Sequence, residues 1–290
     1  ALVMADGARL PLIRWTPTSG ERPRVVIVAL HGVNDSRASF RLAGPWWAEH
    51  GIETWAYDQR GFGGAPGRGI WPGEDLMVSD LRTVVALARA AHPDALIAVA
   101  GESMGGAVTI AAFASDDPPA ADRAILLAPA VWGWSSQAPV NRISLWTTAR
   151  LMGERSVQPP AWLARGYMAS DNWIELYRNG RDPASIRAAR FDQLYGLVDL
   201  METASQGLGH VRAPTLLLYG AHDHVVQDGP MRAALHRAGD RPNLITGFYP
   251  EGWHILNRDL QAETVFADVE AWLRDPAVPL PSGVGPIPGN

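Results

Sequence analysis

Ser103 stands between two glycines in "GESMGG" (residues 101–106), directly after the apolar run Ile97–Ala100 and just ahead of the apolar run Ala107–Ala114. A buried strand that turns into a helix at one residue holds that residue in a strained backbone conformation. Its neighbours come too close for ordinary side chains, and Gly101 and Gly105 relieve that crowding. Such a turn lifts the Ser103 hydroxyl clear of the sheet and aims the first amides of the helix toward it, where negative charge is stabilised. Taken alone, the pattern also fits a tight turn that happens to contain a serine.

A serine hydroxyl is a poor nucleophile at neutral pH, so the turn carries chemistry only if a base can take its proton and an acid can orient that base. In a parallel sheet such groups gather in the loops at the carboxyl ends of strands. After "TLLLYG" comes "AHDHVV", which places Asp223 three residues past Gly220; after "LITGFYP" comes "EGWHIL", which places His254 in another strand-end loop. The chain order Ser103, Asp223, His254 is the order that this kind of turn uses. Asp228 is the rival for the acid, being a few residues along the same loop, while His222 and His224 read as solvated or structural. Backbone amides must also meet the negative oxygen of a tetrahedral intermediate. Met104, next after the serine, offers one, and Val33 in "LHGVNDS" offers a second, with Gly32 keeping that loop close.

The elements that must position these groups follow from periodicity. Strands are predicted at Leu10–Trp15, Val25–Leu30, Ile52–Tyr57, the run ending at Gly101, Ala124–Ala128, Thr215–Tyr219 and Leu244–Tyr249. Helices are predicted around Ser39–His50, over Glu74–Ala91, after Ser103, near Pro230–Arg237 and over Leu260–Leu273. This alternation implies a mostly parallel sheet covered by helices on both faces. It breaks off between about 133 and 211, where helical patterns rich in Trp, Tyr and Met read as an inserted cap. The expected organisation is a core of residues 1–132 and 212–274, a cap of 133–211, and a tail of 275–290 that is irregular or disordered, with five Pro and three Gly in sixteen residues.

With 290 residues, 47% of them hydrophobic and 19% charged, the chain can bury a sizeable core. A net charge of −5 and the lack of a dense Lys/Arg run argue against nucleic acid as a partner. There is no Cys, which excludes disulfides and a cysteine nucleophile. No apolar run approaches the roughly 18 residues of a membrane span, so the chain reads as soluble. It begins with Ala1, which leaves a cytoplasmic location and export with a removed signal both open.

The motifs "LHGV" (30–33), "YDQRGFG" (57–63), "GESMGG" (101–106), "YGAHDHVV" (219–226) and "EGWHIL" (251–256) together resemble the α/β-hydrolase superfamily, and within it the monoacylglycerol lipase and lysophospholipase branch. The resemblance spans nearly the whole chain from Val25 to the final helix. It implies the α/β-hydrolase fold with a helical cap after the sixth strand. It also implies Ser103 as nucleophile, His254 as base and acid, Asp223 as its orienting partner, the Val33 and Met104 amides as oxyanion hole, and no metal or organic cofactor. The implied activity is hydrolysis of small acyl esters through an acyl-enzyme, with peripheral contact to lipid surfaces as a corollary and the oligomeric state open. An amidase or peptidase with the same triad, and a ligand-binding protein on the same scaffold, are the alternatives. Family members commonly carry His before the nucleophile, where this chain has Glu102; that carboxylate either perturbs the local electrostatics or bonds nearby backbone. The cap is rich in large apolar groups, Trp132, Trp134, Trp146, Trp162, Met168, Trp173 and Met201. Most of these are expected to hold its helices together; Trp132 and Trp134, just past a sheet strand, are the expected substrate contacts.

Overall fold

The computed structural model describes residues 1–158 and 168–288. Its centre is a seven-stranded sheet of β1 (Leu12–Trp15), β2 (Val25–Leu30), β3 (Ile52–Tyr57), β4 (Leu96–Glu102), β5 (Arg123–Leu127), β6 (Thr215–Gly220) and β7 (Leu244–Tyr249). The spatial order is β7-β6-β5-β4-β2-β3-β1, and every neighbouring pair is parallel except β1 with β3. Alternate residues of β2 serve opposite faces: Val26, Val28 and Leu30 join one buried cluster, Ile27 and Ala29 the other. A strand buried on both sides therefore reads as the unbroken apolar run seen in the sequence.

One face is covered by α1 (Ala43–Glu49) and, from the carboxyl end of the chain, by α8 (Ala262–Arg274), through Trp47, Phe266 and Val269. The other face carries α2 (Glu74–Ala91), α3 (Met104–Ala114) and α7 (Asp228–Ala238). Ten of the eleven residues of α3 are buried, which is why its sequence is apolar all round rather than along one stripe. Between β5 and β6 lie α4 (Pro139–Met152), α5 (Trp173–Arg181) and α6 (Phe191–Gly207), with a two-residue antiparallel pairing of Ser156–Val157 and Ala189–Arg190. The segment follows the fifth strand of the central sheet rather than the sixth, because the short strands Leu2–Val3 and Arg9–Leu10 stand outside that sheet. Leu2–Val3 pairs only with Arg9–Leu10.

Several boundaries differ from the sequence expectation for local reasons. The strand expected over 10–15 is interrupted at Pro11, which has no N–H to donate, although its carbonyl accepts from Asp58 N at 2.9 Å. The helix expected over 39–50 splits into a 3-10 turn, Arg37–Phe40, capped by Ser36, and then α1. The last helix begins at Ala262 rather than Leu260, whose amide is engaged by Asp171 Oδ1 at 2.9 Å. The tail is irregular but docked, where disorder was the other expectation. Gly285 O accepts from Phe248 N at 2.9 Å, Ile287 N donates to Thr246 Oγ1 at 3.1 Å, and the Ile287 side chain is buried. It thereby covers the outer edge of β7, an otherwise open row of strand groups.

Candidate active site

Ser103 joins β4 to α3 with φ 52° and ψ −114°, a left-handed conformation that costs a non-glycine residue free energy. The turn is held open by missing side chains: a Cβ on Gly101 would lie 2.3 Å from Gly105 O, and one on Gly105 would lie 2.3 Å from Leu30 O. The Ser103 amide donates to Leu127 O at 3.0 Å, and its carbonyl accepts from Ala130 N at 2.9 Å. The end of β5 and the loop just after it thus clamp the strained residue from one side.

The structure brings Ser103, Asp223 and His254 together. His254 Nδ1 donates to Asp223 Oδ2 at 2.8 Å, which leaves Nε2 as the acceptor for the Ser103 hydroxyl, 3.0 Å away. Asp223 Oδ1 accepts from the Val225 and Val226 amides, each at 2.8 Å, so the carboxylate is fixed in orientation. All three residues are buried. Burial alone would lower the His254 pKa, but Asp223, with Glu102 and Asp259 farther down, outweighs it and raises the imidazole above its ordinary value. Asp228 is excluded as the acid: it lies in the first turn of α7, half-exposed, and pairs with Arg232 at 2.8 Å. His222 stacks against Trp253 at 5.2 Å and His224 meets the same ring edge-on at 5.4 Å, so both brace the His254 loop.

Val33 and Met104 both flank the serine, through the loop after β2 and the first residue of α3. Among the described residues neither amide donates to a protein acceptor. The Val33 loop is held from two directions. Gln59, from the glycine-rich "DQRGFG" stretch, donates its amide to His31 Nε2 at 3.0 Å and its side chain to His31 O at 2.7 Å. From α6, Gln193 donates to Asn34 Oδ1 at 2.9 Å, while Ile186 N donates to Asn34 O at 2.9 Å.

Trp132 is half-buried and sits two residues past Ala130, the residue bonded to Ser103 O. Trp134 donates to Asp199 Oδ1 at 2.6 Å and packs on Tyr195 at 5.1 Å. Trp134, Tyr195 and Asp199, with Arg142, Ile143 and Trp146, line an open cavity of about 600 Å3 between α4 and α6, to which Trp132 does not contribute. Met201 packs against the core cluster, Trp146 and Trp173 are exposed, Met168 is half-buried, and Trp162 lies outside the described residues.

Sequence reasoning missed Arg258, Asp35, Asp259, Gln59 and Gln193. Arg258 is buried between Glu102 and Asp35, at 2.8 Å from each. The available signal was Glu102 itself, since a carboxylate beside a buried serine calls for a cation. Among the described residues no group of three or more His, Asp or Glu is placed to hold a metal ion, and no helix is long and apolar enough to cross a membrane.

Comparison with known proteins agrees with this architecture. The monoacylglycerol lipase of Mycolicibacterium smegmatis is 25% identical over 280 residues, covering 92% of this chain and 93% of its own. Among solved structures, the monoacylglycerol lipase of Paleococcus ferrophilus superposes with a TM-score of 0.73 at 17% identity, covering 91% of this chain and 98% of that one. A soluble variant of the Saccharomyces cerevisiae monoglyceride lipase gives 0.73 at 20% identity, covering 92% of each. Residues 21–261 match the Hydrolase_4 family, described as serine aminopeptidase, S33. With that match extending over most of the chain and the strand order seen here, the protein belongs to the Hydrolase_4 family and has the α/β-hydrolase fold.

Proposed function

We propose that this protein is a serine ester hydrolase that cleaves small acyl esters of the monoacylglycerol or lysophospholipid type through an acyl-enzyme. The observation that carries the reading is the hydrogen-bonded line from Asp223 through His254 to Ser103, 2.8 and 3.0 Å, set on a strained turn at the amino end of a buried helix. Ser103 attacks the ester carbonyl while His254 Nε2 takes its proton, and Asp223 stabilises the imidazolium that forms. The oxyanion develops against the amides of Val33 and Met104, the second of which also carries the partial positive charge of the α3 terminus. His254 then protonates the departing alcohol, and water repeats the two steps on the acyl-enzyme.

Residues 133–211 serve in this reading as a cap, and Trp132 and Trp134 as acyl contacts. Their support is the position of Trp132 beside the Ser103 turn and the apolar cavity that Trp134 lines. The relatives named monoacylglycerol lipase supply the substrate class. A peptidase reading has one specific support, the aminopeptidase description of the matching family.

Hydrolysis of p-nitrophenyl esters from acetate to palmitate and of monoacylglycerols, run beside amino-acid p-nitroanilides, decides between them. Ser103-dependent turnover of the esters with little on the anilides is the expected result. The reverse preference assigns the site to peptides, and no turnover on either returns the chain to a binding role.

A further inference from the structure

One guanidinium joins the three segments that carry the reacting groups. Glu102 ends β4 and immediately precedes Ser103; Asp35 lies two residues past Val33; Arg258 lies four residues past His254. Arg258 Nη2 meets Glu102 Oε1 at 2.8 Å and Nη1 meets Asp35 Oδ2 at 2.8 Å, with Arg258 1% exposed and Glu102 2% exposed. Both loops turn tightly around this contact. The Arg258 amide donates to Ile255 O at 2.9 Å, and Asp35 Oδ1 accepts from Ser36 N at 2.8 Å. The fit leaves little slack, since a Cβ on Gly32 would lie 3.2 Å from Glu102 Oε1 and 3.4 Å from Ser103 Cβ.

Removing three charges from water is costly, and a buried ion pair is often no more stabilising than apolar residues of the same volume. Stability is therefore a weak reason for this arrangement. A planar guanidinium whose two terminal nitrogens each meet one carboxylate oxygen, however, sets the distance and orientation between the two carboxylates it bridges, which a flexible ammonium does not. We propose that Arg258 is a positioning residue for the reaction, holding the Ser103 turn and the Val33 loop in register through Glu102 and Asp35. The inference rests on the ester-hydrolase reading and deepens it. In this role the carboxylate before the serine has a task of its own, to be the handle by which the base loop grips the turn.

The arrangement also has an electrostatic side. The carboxylates of Asp223, Glu102 and Asp259 all favour protonated His254. Replacing Glu102 by Gln keeps the shape, removes one negative charge and leaves Arg258 less balanced. The loss of that charge favours the neutral imidazole.

The test compares wild type with Arg258→Lys, Arg258→Met, Asp35→Asn and Glu102→Gln, each in the full chain. Active sites are counted from the p-nitrophenol burst, and Tm is measured in parallel. Displacing reacting groups by a fraction of an ångström is expected to lower kcat per titrated site about 10- to 100-fold in Arg258→Met and Asp35→Asn. KM for the ester should move by less than about threefold. Arg258→Lys should recover Tm, because the charge is restored, but not kcat, because the planar two-point bridge is not. Glu102→Gln should lower kcat and move the acid limb of the kcat/KM profile to lower pH.

Wild-type kcat per titrated site in Arg258→Lys, or in both isosteric variants, overturns the proposal and leaves Arg258 a fold residue only. If Arg258→Met yields no folded protein, Asp35→Asn and Glu102→Gln decide alone. Wild-type enzyme without Ser103-dependent ester turnover would refute the ester-hydrolase reading instead, a separate result.

Discussion

Ser103 and His254 are 151 residues apart in the chain, and their Oγ and Nε2 atoms lie 3.0 Å apart. If this contact is the proton-transfer line, Ser103→Ala lowers kcat/KM on p-nitrophenyl esters by about a thousandfold or more. The fold should be indifferent to the loss of one hydroxyl, so Tm stays close to wild type. Residual turnover near the wild-type level in a folded variant would remove Ser103 from the mechanism.

The base must be neutral to accept a proton. Because Asp223 and its neighbouring carboxylates override burial and raise the His254 pKa, the acid limb of kcat/KM against pH should fall above the ordinary histidine value of 6.5. Asp223→Asn removes the largest raising influence, so the limb moves to lower pH while kcat drops about a thousandfold or more. A limb at or below the ordinary value in wild type would contradict the electrostatics described here.

Asp259 is the second titrating group of the loop. Burial pushes its carboxyl from 3.8 up to about 7, against the hydrogen bonds it accepts from Ser170 and from Trp253 N. Its folded pKa lies above the unfolded one, so the folded chain prefers the neutral acid. Wild type therefore loses stability as pH rises from 3.8 toward about 7, and the loss is complete above that. Asp259→Asn should raise Tm relative to wild type at about pH 8 and give a smaller gain at about pH 5. A pH-independent difference in Tm would refute the assignment.

Gly105 is required by shape. A Cβ there would meet Leu30 O at 2.3 Å, and backbone cannot swing aside as a side chain can. Gly105→Ala should cost about 1–3 kcal/mol or more by overpacking. The corresponding fall in Tm is about 2–5 °C, or soluble protein is not obtained.

If the acyl chain of the proposed ester substrate enters the cavity that Trp134 lines, substrate length tests it. Trp134→Ala enlarges it and frees Asp199, so the preferred acyl chain in the p-nitrophenyl series should lengthen, with kcat on acetate changed less than about threefold. A uniform loss across all chain lengths would leave Trp134 as packing against Tyr195 and Asp199 of α6 alone.

Much of the core was legible because its determinants are local. The apolar run Val25–Leu30 and the all-apolar α3 follow from burial on both faces of a layer. Pro11 and the engaged amide of Leu260 account for two of the three boundary errors: one depends on a missing donor, the other on a partner 89 residues away. The tail was only half legible. Its Pro and Gly content forbids regular structure, but that Ile287 docks on Thr246 depends on an open strand edge that no local pattern announces.

For the site, the sequence by itself determined which residues have the right chemistry: a serine on a glycine-relieved turn, and a carboxylate and an imidazole at two strand ends, in a fixed chain order. These are local facts, set by backbone sterics and by the unbroken apolar runs of strands buried on both faces. Only the tertiary structure decided which acid serves His254, because Asp223 and Asp228 differ in direction rather than in type. Only the tertiary structure, too, showed that Glu102, Arg258 and Asp35 meet in one buried contact. An ion pair between distant segments leaves no periodicity in the chain. It exists only where the parallel sheet brings three strand ends to the same side.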